Sequence, residues 1–171
     1  MFSRIKIILT FSIIILTTNI KAEDVALKSN YKYCNHHNFT YFLLDIYDIY
    51  LCLNNKNFLK FGKIYQNNFS IFIKYNLNFK KEELAKSSIE EINRYHNIDN
   101  IEKYYQKLLS IFPNVKKSDI IEARYKKSKV ELYHNGDFTG AIEDIYFGKI
   151  FLDIWLNKNN KYQDMIQDLY R

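Results

Sequence analysis

The chain has 171 residues, of which 47% are hydrophobic and 17% aromatic, and it contains one proline and four glycines. This composition excludes an intrinsically disordered chain, because enough apolar side chain is present to form a core. The formal net charge of +6 falls to +3 when the three basic residues of the N-terminal segment, Arg4, Lys6 and Lys21, are set aside. A charge that small, scattered among acidic residues, does not predict a nucleic-acid partner.

Residues 1–22 have the organisation of a secretory signal peptide. Basic residues open the segment, residues 7–16 are almost wholly apolar, and Ala22 closes it. The apolar run is shorter than the roughly 20 residues that a membrane-spanning helix needs. We therefore expect the segment to be removed on export, residues 23–171 to form one domain, and the mature protein to be periplasmic or secreted. An uncleaved anchor is the alternative, and membrane contact is expected only through this segment.

Two cysteines in an exported protein raise the question of a disulfide. Cys34 precedes the polar triplet 36–38, which we interpret as a turn, and Cys52 ends the strand that follows it. In a hairpin about that turn, Cys34 would face residue 40, and Cys52 would lie about 40 Å further along. A disulfide requires Cα atoms within about 7 Å. The pattern therefore predicts two free thiols.

The first half of the chain reads as strands. A short strand is predicted at 31–35 and a long one at 39–53, which is apolar on both faces, as in a strand covered on both sides. Residues 58–61 fit a short edge strand. Residues 69–79 alternate between apolar and polar side chains, which predicts a strand with one solvated face. That polar face carries Ser70, Lys74, Asn76 and Asn78.

The hydrophobic period then changes to that of a helix. Asp99 with Glu102 resembles a capping box at the start of a second helix, which Pro113 ends. Asn135-Gly136 is a strong signal for a two-residue hairpin. The predicted elements are a helix at 80–96, a helix from Asp99 to Pro113, strands at 119–126, 129–134 and 137–142, and helices at 144–156 and 160–170. This order predicts an α+β fold, an antiparallel sheet with helices packed on one side.

Few residues suggest chemistry. The sequence has no glycine-rich phosphate loop and no CxxC, HExxH or GxSxG motif, so no cofactor is predicted. His36-His37 has no third ligand nearby in sequence, so no metal site is predicted. Asp45 and Asp48 interrupt the most apolar strand, where a carboxylate is costly unless it is paired. Each could line a ligand cavity or pair with a lysine or a backbone NH at the rim of the sheet.

Small and acidic residues near the predicted helices also allow both a structural and a functional interpretation. Glu143-Asp144 fits a helix cap better than a site. Ser87 and Ser88 lie near the inward face of the helix at 80–96, where small polar side chains either line a pocket or allow close packing against the sheet.

Several segments in a fixed order resemble the bacterial, exported branch of the chalcone isomerase-like family. The most telling are IYDIYL, FPNV, YHNG and IWL, and the similarity is collinear from about residue 25 to the C-terminus. The resemblance implies an open-faced β-sandwich with helices on a large sheet. It also implies two functional precedents, the ring-closing plant isomerases and related proteins that bind a fatty acid in the same cleft.

The resemblance also indicates where this chain departs from the plant enzymes. The position of their first-strand arginine falls at Lys32-Tyr33, and that of their water-orienting threonine falls at Asp45. Their helix tyrosine, asparagine and second threonine fall near Lys80, Ser87 and Glu143. The polar groups that hold and polarise the substrate are therefore largely replaced, and a lysine cannot reproduce the bidentate geometry of arginine. The ligand contacts implied are Lys32, Asp45, Tyr47, Lys80 and Ser87, and the candidates for any remaining catalysis are Asp45, Ser87 and Glu143.

These observations favour an exported, non-catalytic protein that binds a fatty acid or another apolar small molecule. An intramolecular lyase or isomerase of the chalcone isomerase type is the first alternative, and it predicts polar groups converging around Asp45. A role as an interaction protein of the cell envelope is the second, and it predicts a filled cleft and an exposed apolar patch.

Overall fold

Six antiparallel strands form one sheet in which every strand pairs with its neighbour in the sequence. The computed structural model describes residues 30–171, so the predicted signal peptide lies outside the described residues. The strands are β1 (Tyr33–Tyr41), β2 (Leu44–Leu53), β3 (Phe69–Tyr75), β4 (Ile120–Lys126), β5 (Lys129–His134) and β6 (Asp137–Ile142). Strict neighbour pairing follows from the short turns that join most of them.

In the described part of the chain, four helices lie on one face of this sheet and enclose the core with it. They are α1 (Lys81–Ile92), α2 (Ile101–Ile111), α3 (Ile145–Leu156) and α4 (Gln163–Leu169). The main apolar cluster joins one face of the strands, including Ile49, Ile71 and Ile121, to helix residues such as Phe151. The predicted α+β architecture is therefore confirmed. Among the described residues, no helix is long and apolar enough to cross a membrane.

The first hairpin turns six residues later than the sequence predicted. The turn is at Phe42-Leu43, and both residues have positive φ, 47° and 66°. Turn residues with positive φ are normally asparagine, aspartate or glycine. The polar triplet at 36–38 fits that preference better than Phe42-Leu43 does, so the sequence predicted the turn there. That triplet lies inside β1 instead.

The new register corrects the prediction for the cysteines. Cys34 on β1 lies directly opposite Cys52 on β2. Their Cα atoms are 4.1 Å apart and their sulfurs form a disulfide. The prediction of two free thiols was wrong because it followed from the wrong turn. Directly opposed residues in an antiparallel pair have Cα atoms about 4.5–5.5 Å apart, within reach of a disulfide.

β3 has no solvated face, contrary to prediction. Ser70 is fully buried and Lys74 is 4% exposed. On the side away from the helices, Tyr50, Cys52 and Phe72 form a second small apolar cluster against which Tyr31 and Ile120 pack. Apolar and polar side chains alternate along β3 as predicted, but side chains of the neighbouring strands and Tyr31 cover its polar face.

The short sequence motifs predicted some ends of the strands and helices correctly and others wrongly. The edge strand predicted at 58–61 was wrong, because this region holds 3-10 turns at Lys56–Phe58 and Ile64–Gln66. Asn100, not Asp99, precedes α2, and its side chain forms no cap. The predicted cap at Asp144 is confirmed, since its carboxylate accepts the backbone NH groups of Tyr146 and Phe147 at 3.0 and 3.1 Å.

The contact between β6 and α2 depends on a glycine. A Cβ added to Gly140 would overlap the side chain of Ile111, which is 4% exposed. We expect Gly140→Ala to lower the free energy of unfolding by about 1–3 kcal/mol, the usual cost of overpacking. Urea denaturation would measure this. If the cause is the overlap, the double variant Gly140→Ala/Ile111→Ala should lose less than the sum of the two single variants; strict additivity would contradict the explanation.

Candidate ligand-binding cleft

An apolar cleft of about 280 Å³ lies between one end of the sheet and the helices. Most of its walls are aromatic or aliphatic side chains from β1, β2, β3, α1, α3 and α4. The lining residues are Phe39, Tyr41, Ile46, Tyr47, Tyr75, Phe79, Glu83, Leu84, Ser87, Ser88, Glu91, Ile154, Trp155, Tyr162 and Met165. This composition, apolar walls with a few polar groups, is typical of small-molecule sites.

Local structure explains why these side chains converge. On α1, Leu84 and Ser88 are four residues apart and therefore share one face, with Ser87 beside them. The small serine side chains leave open the space between α1 and the sheet that larger residues would fill. Trp155 belongs to α3, a largely apolar helix in which eight residues are buried.

Aromatic rings organise the floor of the cleft. The Tyr47 ring stacks on Phe39 with centroids 4.8 Å apart, and Tyr75 meets Tyr47 edge-on at 6.2 Å. The indole NH of Trp155 donates to the Tyr47 hydroxyl at 3.2 Å. Because Tyr47 accepts this bond, its own proton remains available for a ligand oxygen.

The two tyrosines of the floor stay neutral. Burial raises the pKa of Tyr47 far above its usual value, although the hydrogen bond from Trp155 acts in the opposite direction. Burial likewise raises the pKa of Tyr75. A neutral phenol donates a hydrogen bond but does not serve as a base near neutral pH. The cleft floor is therefore suited to orienting a ligand rather than to removing a proton from it.

Charged residues meet at one edge of the cleft around Glu91. Its carboxylate accepts a hydrogen bond from Arg94 Nε at 2.9 Å and lies 3.6 Å from Lys161 Nζ. The Tyr95 hydroxyl donates to the same carboxylate at 3.3 Å. Arg94 and Lys161 thus share the Glu91 carboxylate, and neither cation lines the cleft, whereas Glu83 and Glu91 do.

The structure brings two of the predicted site residues into the cleft. Tyr47 lies in its floor, and Ser87 lies at its edge with an exposed side chain. Their predicted role as ligand contacts is compatible with this placement and stays a prediction.

The other predicted site residues lie elsewhere on the surface. Lys32 is exposed beside Asn54, and Lys80 is exposed at the start of α1. Asp45 is exposed near the β1–β2 turn, and Glu143 is exposed before α3. None of these four is among the residues that line the cleft. The family resemblance grouped these four residues into one site, and the position of Asp45 in an apolar strand was a second reason to include it.

Sequence reasoning missed most of the cleft. Trp155, Tyr75, Phe39 and Met165 lie in segments for which the sequence predicted only a strand or a helix. Nothing local distinguishes them from core residues, because the space they enclose arises only when β2, α1 and α3 meet.

Asp48, the second carboxylate of the apolar strand, is satisfied at the sheet surface. It accepts hydrogen bonds from His36 at 3.0 Å, Asn38 at 3.1 Å and Asn76 at 3.2 Å. Burial acts to raise the pKa of Asp48, but these bonds outweigh it and lower that pKa. Asp48 does not line the cleft, and these partners are a histidine and two asparagines, whereas the sequence suggested a lysine or a backbone NH.

The opposite face of the sheet carries a larger groove of about 790 Å³, whose lining is more polar than that of the cleft. Its central charges, Glu122 and Arg124, are bound to each other, with Arg124 Nε 2.9 Å and Nη2 3.0 Å from the carboxylate oxygens. Because these groups satisfy each other, the smaller apolar cleft is the better ligand site. Within residues 30–171, no three His, Cys, Asp or Glu side chains are grouped to hold a metal ion.

Comparison with known proteins agrees with the fold. The model of the chalcone isomerase-like family matches residues 40–169. The chain therefore belongs to the chalcone isomerase-like family. Its structure is similar to that of a fatty-acid binding protein of Arabidopsis thaliana, with a TM-score of 0.58 and 10% sequence identity over 80% of this chain and 83% of that chain. No curated protein matches the sequence.

Proposed function

We propose that this protein is exported and binds a fatty acid or another apolar small molecule in the cleft, without converting it. The observation that carries the proposal is the cleft itself, which is walled mainly by aromatic and aliphatic side chains and has neutral tyrosines in its floor. Its two carboxylates, Glu83 and Glu91, accept hydrogen bonds from the Lys80 backbone NH and from Arg94. Its volume of about 280 Å³ is near the lower end of the roughly 300–1,000 Å³ of small-molecule sites.

Two further observations support the ligand class and the location. A structural neighbour in the same family of folds is a fatty-acid binding protein. Export is supported by the signal-like composition of residues 1–22 and by the Cys34–Cys52 disulfide, because disulfides persist mainly in oxidising compartments.

The isomerase alternative has less support in the geometry. It requires polar groups converging on the substrate, yet Asp45 and Glu143 lie outside the cleft. Chalcone turnover by the parent protein separates the two hypotheses. A binder should show none, and a turnover activity that Asp45→Asn abolished would favour the isomerase and require Asp45 to reach the substrate.

The proposal is tested by identifying what the protein carries. The full chain would be exported to the periplasm of a bacterial host, purified, and measured by native mass spectrometry before and after solvent extraction. A co-purifying fatty acid or similar lipid is the expected result. An apo mass that stays unchanged after incubation with fatty acids and flavonoids would contradict it and favour the envelope-interaction alternative.

A blocking variant locates the ligand. Ser88 is buried on α1 and lines the cleft, so Ser88→Phe should place a ring in the cavity and lower retention of the ligand by at least about tenfold. A tenfold loss corresponds to roughly 1.4 kcal/mol of binding free energy, which the ligand would lose with its apolar contacts. Ser110→Phe, on the exposed side of α2, is the matched control and should retain the ligand. Thermal unfolding of both variants shows whether the fold persists; equal retention in a folded Ser88→Phe variant would place the ligand elsewhere.

A further inference from the structure

The β1–β2 turn exposes an unusual run of apolar residues, which we call the hairpin tip, residues 41–44. Tyr41 is 50% exposed, Phe42 81%, Leu43 102% and Leu44 56%. Single exposed apolar residues are ordinary, but four large ones in succession at the end of a projecting hairpin are not. Within the described part of the chain, nothing packs over Leu43.

The backbone of the tip shows that folding does not explain these residues. Phe42 and Leu43 have φ of 47° and 66°, a region in which bulky side chains are disfavoured. Asparagine and glycine satisfy such a turn without strain. The chain thus places two large apolar side chains in a strained turn where they contribute little to the core. A contact outside the folded domain accounts for them better than stability does.

The tip adjoins the ligand cleft. Tyr41 belongs to both, since it lines the cleft and opens the tip. Ile46 also lines the cleft from the other strand of the hairpin, and its carbonyl accepts the backbone NH of Asn76 at 2.9 Å. A surface that covered the tip would therefore lie next to the entrance of the cleft.

Basic residues occupy the same end of the sheet. The segment 76–80 leaves β3 beside Ile46 and is joined to the segment 113–119 by the Phe79–Val115 bridge. The backbone NH of Lys117 also donates to the Asn78 side chain at 2.7 Å.

The exposed lysines on these segments are Lys80, Lys116 and Lys117. The acidic groups at this end are Asp45 on the hairpin, Glu82 and Glu83 on α1, and Asp48 and Asp119, which are bound to histidines.

We propose that the hairpin tip inserts into the surface of a lipid bilayer. Large apolar side chains that project together partition into the interface of a membrane, and the adjoining mouth of an apolar cleft favours lipid as the occupant. The exposed lysines at this end of the sheet are balanced by acidic groups, among them Asp45 directly after the tip, so we expect no requirement for anionic lipid. This inference goes beyond ligand binding, and it departs from the expectation that only the N-terminal segment contacts the membrane. Insertion would bring the entrance of the cleft to the bilayer, where an apolar ligand could pass without crossing water.

The test is vesicle flotation of the exported chain purified from the periplasm. The parent should bind vesicles of phosphatidylethanolamine and phosphatidylglycerol and vesicles of phosphatidylcholine alone to a similar extent. Binding only to the vesicles with phosphatidylglycerol would assign the contact to charge rather than to the apolar tip and would contradict the proposal. The key variant is Phe42→Asn/Leu43→Gly, which removes both apolar side chains and supplies the residues that the turn favours. It should fold at least as stably as the parent and lose vesicle binding by about tenfold or more, since each side chain withdrawn from the interface forfeits apolar burial. Tyr146→Ser removes an exposed aromatic ring from α3 and should leave binding unchanged.

A second variant reports the position of the tip directly. Phe42→Trp adds a fluorophore at the tip, and the native Trp155, which is 7% exposed, serves as the buried reference. Brominated phospholipids should quench the added emission and spare that of the parent. The proposal is overturned if the parent fails to bind either vesicle, if the Asn-Gly variant binds as well as the parent, or if that variant instead converts a dimer into a monomer, which would assign the tip to a second copy. Ligand retention is scored separately, so Ser88→Phe should still bind vesicles.

Discussion

Removing the disulfide by Cys34→Ala/Cys52→Ala is expected to lower the free energy of unfolding by about 3 kcal/mol. The bond closes a loop with a sequence separation of 18 residues, and the entropy it removes from the unfolded chain is worth roughly that amount. β1 is an edge strand that pairs only with β2, so the bond also fastens the strand that supplies Phe39 to the cleft. Thermal unfolding should show a midpoint lower by roughly 10 °C.

Reductant separates the bond from the cavity that the substitution creates. Cys52 is fully buried, so part of the loss in the alanine variant comes from missing packing. Reduction of the parent protein leaves every side chain in place and should still lower its midpoint, whereas the alanine variant should not respond. A parent protein whose unfolding is insensitive to reductant would show that the bond is absent or contributes nothing.

Arg124→Met is expected to cost a similar amount, roughly 3 kcal/mol, for a different reason. Glu122 is 8% exposed and accepts two hydrogen bonds from Arg124 and one from Ser70 Oγ at 2.6 Å. The charged partner holds the pKa of Arg124 well above its ordinary value, with the hydrogen bond to Glu122 as the main cause. Breaking a buried pair typically costs about 3–5 kcal/mol, and the lower end applies because the Arg124 side chain is 36% exposed.

The matched controls distinguish charge from packing. Arg124→Met also ends the contact of the guanidinium with the Tyr133 ring, whose centroid lies 4.2 Å away. Glu122→Leu/Arg124→Met removes both charges and should recover much of the stability, because an apolar pair leaves no buried carboxylate without a charged partner. Denaturant titration measures each variant. A double variant no more stable than Arg124→Met would show that lost packing, not the unpaired carboxylate, dominates.

The hairpin shows why the fold could be predicted only in part. Strands β4, β5 and β6 have local alternation and an Asn-Gly turn, and the sequence prediction placed them within a residue of their bounds. The first hairpin has neither signal, because Phe42 and Leu43 occupy a turn that the usual rules assign to other residues. One misplaced turn then changed the register of β1 and reversed the prediction for the cysteines.

The sequence by itself determined the type and order of most elements, the helix cap at Asp144 and the resemblance to the chalcone isomerase-like family. These follow from periodicity and short motifs, which depend on neighbours along the chain. Only the tertiary structure decided which residues enclose the cleft, since Tyr47 and Trp155 are 108 residues apart when they hydrogen-bond. It likewise decided that β3 is buried on both faces and that residues 41–44 project uncovered, because burial depends on which surfaces meet in space.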